Sequence, residues 1–538
     1  MTRTSGVALV LVLLEMVGRS PAIAQALVPL EATIEIDDLA TPAPSHAGWF
    51  IGSNTPAWIA DRLHDEKLRA RASAAGLGSM RIPGGAWSDY YGWLSCELRA
   101  DQPGAEPCGQ AWAAWVARPT DFIDFLRATG FTGDRVIYTL NVNATAEESA
   151  ALVAFFNALP RDPTTIGTDR NGTDWRTAGY WAQLRSDHGN AAPLGIKYFE
   201  YGNEVYGSTP GSGGAECVAW GWENGWTCDG TEYVDGNASN DGYLAVRAAV
   251  RAVDSSVLVG AVGFEDPAAY SNWGNEVIRA AGTELDFYII HPYAYYVLPS
   301  YDEGGFTEML AQPQRHWATI RSRLNDAFAT FGGGREVPIA VTEFNITSSQ
   351  DQDRRQILTR AVNALFLADS IGQAMTHGFA FFNQWNLTNG CARNRTCYDL
   401  LVDGRKFRRT AQYWAFPLWS RFGSALLPVT ADRDPGTELA VYAGRVDADT
   451  VALLAVNKTG ATVDATLTLA SGRQILAATA DAATATKLKQ KRVRFNGRGN
   501  PDDDLADAPP AIVSTTGAFA THTLAPYSIT RVRLDTTP

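Results

Sequence analysis

The sequence predicts an α/β fold, a (β/α)8 barrel followed by an antiparallel β-sandwich. Eight short apolar, β-rich runs alternate with amphipathic helical stretches from about residue 48 to 420. After Phe422 that alternation stops, and period-two segments separated by turn residues take over. A chain of 538 residues also exceeds one ordinary domain of ~100–200 residues, and a large barrel with a smaller unit behind it accommodates the length.

The strand candidates run GWFIGS (48–53), SMRIPGG (79–85), RVIYTLNVN (135–143), KYFEYGNE (197–204), VLVGAVG (257–263), DFYIIHPY (286–293), PIAVTEFN (338–345) and GFAFFNQWN (378–386). Helical patterns separate them, among them residues 57–76, 121–130, 243–254 and 354–370. A doubly wound open sheet is the alternative, but no G-x-G-x-x-G follows the first strand. Downstream, ELAVYAGRV (438–446), TVALLAVNKT (450–459), DATLTLA (464–470) and YSITRVRL (527–534) read as sandwich strands. The early segment Ala32 to Asp38 is strand-like and is expected to join them. The expected organisation is therefore an N-terminal strand region at 27–47, a barrel at 48–422 and a sandwich at 423–538. No internal repeat is evident.

Residues 1–26 combine a basic start, a short apolar stretch and small residues suited to cleavage after Ala24 or Ala26, the pattern of an export signal. The apolar run is too short for a membrane span. The protein is expected outside the cytoplasm, extracellular or periplasmic. Six cysteines fall into neighbouring pairs, Cys96 with Cys108, Cys217 with Cys228 and Cys391 with Cys397, each bracketing a Gly-, Trp- or Asn-rich loop. Six cysteines admit several pairings; local disulfides suit an oxidising compartment. A zinc site lacks support, because no C-x2-C pairing comes with histidine ligands. No metal or cofactor is expected. With 45 basic and 58 acidic residues the formal charge is −13, which offers nucleic acid no basic face. The one basic run, Lys487 to Phe495, adjoins Asp502 to Asp504 and reads as a charge-balanced loop. A monomer is the expected state.

In a parallel barrel, chemistry sits at the C-terminal strand ends. There the fourth candidate places Asn203 and Glu204, and the seventh Glu343. Other ends bring Arg81, Asn141, Asn143, His291, Tyr293, Asn383, Gln384 and Trp385. Two glutamates at facing strand ends, among hydroxyl-binding and aromatic groups, fit glycoside hydrolysis by a carboxyl pair. Glu204 would then be the proton donor, its pKa raised by apolar walls and neighbouring charge, with Tyr198, Phe199, Tyr201 and Tyr206 supplying part of the desolvation. Glu343 would need a cationic, hydrogen-bonding cradle, for which Arg81 and Tyr293 are the candidates. Asn203 would bind the hydroxyl beside the anomeric centre. After Glu204, the loop between Cys217 and Cys228 carries Trp220, Trp222 and Trp226, with Trp222 expected to stack on sugar. No G-x-S-x-G elbow and no phosphate loop is present. A non-catalytic sugar-binding barrel is the rival of another class.

These residues resemble clan A of the glycoside hydrolases, retaining enzymes on a (β/α)8 barrel. RIPGGAWSDYYGW (81–93) is similar to the second-strand segment of that clan's α-L-arabinofuranosidases, with Arg81, Pro83, Gly84, Gly85, Tyr91 and Trp93 in register. HPY (291–293) resembles their sixth-strand segment, where the tyrosine holds the nucleophile, and NQWN (383–386) their eighth. The tail from Arg408 into a sandwich ending LAPYSITRVRL also resembles the β-glucuronidase/heparanase and β-xylosidase groups. The resemblance implies a carbohydrate substrate, Glu204 as acid/base and Glu343 as nucleophile. The chain departs from the arabinofuranosidase pattern at Gly52, Ala86, Thr342 and Phe344, which stand where that group has Glu, Asn, Asp and Trp. It therefore speaks for the reaction more than for the sugar. Arabinofuranosidase-like activity comes first, with β-glucuronidase, β-xylosidase and endo-glucanase as alternatives.

Overall fold

The computed structural model describes residues 28–44, 50–98, 108, 115–211, 216–404 and 406–538; the expected export signal lies outside them. Eight strands close an all-parallel barrel: Ile51–Pro56, Ser79–Gly84, Val136–Leu140, Tyr198–Tyr201, Leu258–Val262, Phe287–Ile290, Ile339–Phe344 and Phe381–Gln384. Each pairs with the next, and the eighth closes on the first through Phe382 and Ile51. Seven of the eight apolar runs read from the sequence hold one of them, and the first, read as 48–53, overlaps a strand that continues to Pro56. Helices cover the outside while side chains fill the inside, so both faces of every strand are buried. That is why the runs are continuously apolar instead of alternating.

The interior is layered. Strand-start residues Tyr198, Leu258, Phe287 and Phe381 pack with Ile137, Ile289 and Ala340 as an apolar plug. Further along the strands the inward positions become polar: Arg81, Thr139, Glu200 and Asn383 are all buried. A polar layer inside a barrel is costly unless its members satisfy one another, and here they support the site above.

Two helical stretches break where a side chain captures backbone N–H groups. The pattern over 57–76 becomes a short turn and two helices, because Asp65 accepts from the N–H groups of Lys67 and Leu68 and restarts the helix at Glu66–Ala75. Over 354–370, Asp353 accepts from the N–H groups of Ile357 and Leu358, and the regular helix, Ala361–Thr376, begins after that turn. Periodicity does not register such local competition.

The sandwich pairs a five-stranded sheet with a larger one. Leu30–Ile36 lies inside the smaller sheet, parallel to Val463–Leu469 and antiparallel to Val429–Ala431. The alternating burial of Leu30–Ile36 and Val463–Leu469 feeds one sandwich core through Ile34, Ile36, Val463 and Leu467. The larger sheet seats on the barrel's last long helix. There Lys458, fully buried, meets Asp369 at 2.7 Å, and Trp419 donates to the Ala368 carbonyl at 3.0 Å. Among the described residues no helix is long and apolar enough to cross a membrane.

Candidate active site

Arg81 organises the C-terminal mouth of the barrel. It rises from the second strand, is fully buried, and distributes its guanidinium over four partners. Nε donates to Glu200; Nη1 donates to Glu343 at 2.7 Å and Asn54 at 3.1 Å; Nη2 donates to Asn203 Oδ1 at 2.8 Å. Thr139 adds a hydroxyl to Glu200 at 2.7 Å. One cation thus fixes residues from several strands or strand ends. Replacing Arg81 by Met should cost about 3–5 kcal/mol, since two buried carboxyls would lose their shared cation. Urea unfolding measures this. A loss of about 1 kcal/mol or less, the scale of a surface pair, would show that Arg81 does not carry the layer.

The expected cradle of Glu343 is present. Arg81 holds one oxygen, and the Tyr293 hydroxyl donates to the other at 2.7 Å. Glu204 leaves the fourth strand differently. Its backbone sits in the left-handed region (φ 39°, ψ 35°), a conformation costing a non-glycine residue about 1–2 kcal/mol and typical of functional sites. The turn aims the side chain across the barrel mouth at His291, whose Nδ1 lies 2.9 Å from Glu204 Oε1 and 3.9 Å from Glu343 Oε2. His291 Nε2 lies 2.9 Å from the Thr342 hydroxyl, which fixes the ring. Donor atoms of Glu204, His291 and Glu343 all fall within 4.8 Å of one another.

That spacing would also admit a cation, but the donor set does not fit one. Both oxygens of Glu343 are engaged, one by a guanidinium.

The electrostatics of Glu204 differ from the sequence expectation. Burial pushes its pKa up, but the hydrogen bond and charge of His291, with hydrogen bonds from Trp222 and Tyr206, hold it below the ordinary glutamate value. Of the four aromatic residues expected to desolvate it, only Tyr206 reaches it, and it acts through a hydrogen bond that lowers the pKa. Tyr198 belongs to the apolar plug, Phe199 is core, and Tyr201 stacks on Tyr233.

Asn203 sits between two carboxyls that the sequence reading does not single out. Its N–H donates to Asp89 at 2.7 Å and its Nδ2 to Glu223 at 3.1 Å. Burial pushes Asp89 well above the usual range; burial and then the Asp89 charge push Glu223 up to about 11. The pair therefore holds a proton at neutral pH, and a neutral acid can stay beside the amide without a counter-ion. Glu200 also escapes the sequence reading. It lies in the very stretch that carries Glu204, but in YFEY it looks like part of a core strand. Its inward parity with Thr139 and Arg81 is the available signal.

Trp385 closes the opposite wall. A Cβ on Gly85 (φ 83°) would lie 2.5 Å from its ring, so the Gly84–Gly85 pair leaves room for the indole. Gly52 is equally constrained, since a Cβ there would meet the Ser79 hydroxyl at 2.2 Å. The missing first-strand glutamate thus has no space. Asn383 and Gln384 point into the buried polar layer, bonding Ser79 and the Tyr398 carbonyl; Asn143 ties the Asp89 carbonyl to Asn224.

All three expected disulfides form. Cys96 is bonded to Cys108 after the second strand, Cys217 to Cys228 after the fourth, and Cys391 to Cys397 after the eighth. Cys96, Cys108, Cys228 and Cys397 are buried, so each of the three clips has at least one end anchored in the protein rather than in solvent. Within the loop closed by Cys217 and Cys228, Trp226 is buried core, whereas Trp220 and Trp222 are 48% and 42% exposed. Trp222 lies over Gly207 and bonds Glu204.

No family model and no curated protein matches the sequence. Solved structures do. Over 94% of this chain and 100% of theirs, it is similar to a family 51 α-L-arabinofuranosidase from Bifidobacterium longum, with TM-score 0.70 and 16% identity. With the same coverages it is similar to the thermostable family 51 α-L-arabinofuranosidase from Thermotoga petrophila RKU-1, at 0.69 and 17%. A family 44 xyloglucanase from Paenibacillus polymyxa is similar at 0.59 and 15%, again over 94% and 100%. The fold is that of the clan A glycoside hydrolases. At such identity the likeness is one of fold, and the chemistry has to come from the side chains of this barrel.

Proposed function

We propose that this protein is a secreted, retaining glycoside hydrolase, with Glu343 as nucleophile and Glu204 as acid/base. The observation that carries the reading is that an oxygen of one carboxyl lies within 4.8 Å of an oxygen of the other. Direct attack on the anomeric carbon needs a pair about 5–5.5 Å apart, whereas an interposed water needs roughly 6.5–9.5 Å. Glu343, held by Arg81 and Tyr293, attacks the anomeric carbon while Glu204 protonates the departing oxygen. Glu204 then takes a proton from water, which displaces Glu343 from the sugar. Asn203 binds the neighbouring hydroxyl, Trp385 flanks the ring, and Trp222 lies on the Glu204 side of it. His291 keeps Glu204 turned toward the scissile bond. A binding-only barrel has no use for two carboxyls so spaced and cradled. Three disulfides favour an oxidising compartment.

An α-L-arabinofuranoside is the leading substrate, in line with the family 51 structures. Cleavage of a glucan chain is the second reading, favoured by the likeness to the family 44 xyloglucanase. A panel of chromogenic glycosides and polysaccharides separates them. On the substrate so found, proton NMR should show the first-formed product with the anomeric configuration of the substrate. An inverted first product would sink the double displacement.

A further inference from the structure

A cavity of about 510 Å³ opens beside Glu204, within the roughly 300–1,000 Å³ of ligand pockets. It borders Glu204, His291 and Tyr293, together with Tyr296, Ser348 and Ser349, but its lining does not include Glu343, Arg81 or Trp385. Its wall is aromatic: Tyr206, Trp222, Phe264 and Tyr270 pack with ring centroids 4.7–6.2 Å apart. Tyr270 is brought there by a turn in which Tyr270, Ser271 and Asn272 all have positive φ, at 50°, 58° and 67°. Three such non-glycine residues in a row are costly, and strain of this kind persists where a site requires it. The Ser271 hydroxyl accepts from the Val218 N–H at 3.1 Å, tying the turn to the loop closed by Cys217 and Cys228.

One polar group in this wall has no part in the chemistry above. Glu265 borders the cavity, and its Oε2 is enclosed without a hydrogen-bond partner among the described residues. Burial pushes its pKa up to about 8, against its own backbone N–H and aided by the Glu204 charge. At neutral pH it is largely a carboxylic acid, able to donate to or accept from a hydroxyl. Among the described residues no Lys or Arg lines the cavity and its acidic groups are Glu204 and Glu265, so a ring bearing a carboxylate would find no guanidinium or ammonium partner there.

We infer that this cavity seats the leaving group, and that it takes a neutral sugar ring packed against the aromatic wall with a hydroxyl on Glu265. The inference rests on the proposed roles of Glu204 and Glu343. The acid protonates the departing oxygen, so whatever occupies a space that Glu204 lines and Glu343 does not is the departing half of the substrate. Aromatic faces suit the apolar faces of a sugar ring, and an unpartnered carboxyl suits its hydroxyl edge.

The test compares a disaccharide with the dinitrophenyl glycoside of the same glycosyl group, using wild type, Glu265→Leu and Glu265→Gln. The ratio of kcat/KM on the disaccharide to that on the aryl glycoside should fall about tenfold in the leucine variant, the scale of one lost hydrogen bond. The glutamine variant should recover most of it, since an amide can also donate and accept. In wild type, a disaccharide whose departing sugar is a uronate should be cleaved more slowly than its neutral counterpart. Equal losses on both substrates, or no loss on either, would overturn the assignment. Dinitrophenolate release by wild type with retained configuration keeps the double-displacement reading standing whatever Glu265 does; its absence marks the failure of that reading instead.

Discussion

Glu343→Ala should remove turnover on every glycoside, whatever its leaving group. The loss should be on the order of 10⁵-fold or more, the scale for deleting a covalent nucleophile. The physical reason is that Glu343 is the carboxyl that Arg81 and Tyr293 hold beside Glu204. Glu200 lies deeper and is held by Arg81 and Thr139. The space left by the side chain keeps the Arg81 guanidinium and the Tyr293 hydroxyl as its lining, a ready seat for a small anion. Added azide should therefore attack from the vacated side and give a glycosyl azide of inverted configuration. Arg81 keeps its bonds to Glu200, Asn54 and Asn203, so the variant should remain folded, as circular dichroism would show. Azide product of retained configuration would take the nucleophile's role away from Glu343.

Glu204→Ala should separate natural from activated substrates. General acid assistance supplies ~10²–10⁴-fold, and a dinitrophenolate departs without much of it. Natural glycosides should lose that factor, while the first step on a dinitrophenyl glycoside persists. The second step slows because the base that deprotonates water is gone, so a burst of dinitrophenolate is followed by a slow steady state. Azide needs no base, and it should restore turnover with retained configuration. A pH consequence follows from the shift at Glu204. Burial raises its pKa, but His291, Trp222 and Tyr206 outweigh burial and hold it below the ordinary value. The proton needed for acid catalysis is therefore present at low pH and lost as pH rises through that lowered value. Wild-type kcat/KM on natural substrates should be greatest on the acidic side, and its alkaline limb should be missing when Glu204→Ala acts on the dinitrophenyl glycoside. An unchanged alkaline limb in the variant would assign that proton to another group.

Much of this site is legible before any fold is known, because a parallel barrel converts strand position into place. Once KYFEYGNE and PIAVTEFN are read as barrel strands, their terminal glutamates must converge, and Arg81, His291, Tyr293 and Trp385 arrive by the same rule. Other residues are not legible. Asp89 lies in a short helix after the second strand and Glu223 in a disulfide-bounded insertion, and neither position marks it as a partner of Asn203. Glu265 follows the fifth strand as an ordinary acidic residue; its enclosure depends on Tyr270 arriving through a strained turn. For a related reason the sequence points the wrong way on the charge state of Glu204. Tyrosines near it in the chain suggest apolar walls, but Tyr198 lies deeper in the interior plug and Tyr201 faces outward onto Tyr233, while a histidine from the end of the sixth strand supplies the dominant bond.

By itself the sequence determined the succession of strands and helices, the closed barrel with its sandwich and the two glutamates, and it suggested the pairing of neighbouring cysteines. Each of these follows from local patterns: period two, period 3.6, a strand's last residue, or a short loop between two thiols. Only the tertiary structure decided which groups share Arg81, which carboxyls keep their protons, and where a cavity opens beside Glu204. Those properties are set by through-space distance and by exclusion of water, between residues whose separation along the chain carries no information about either.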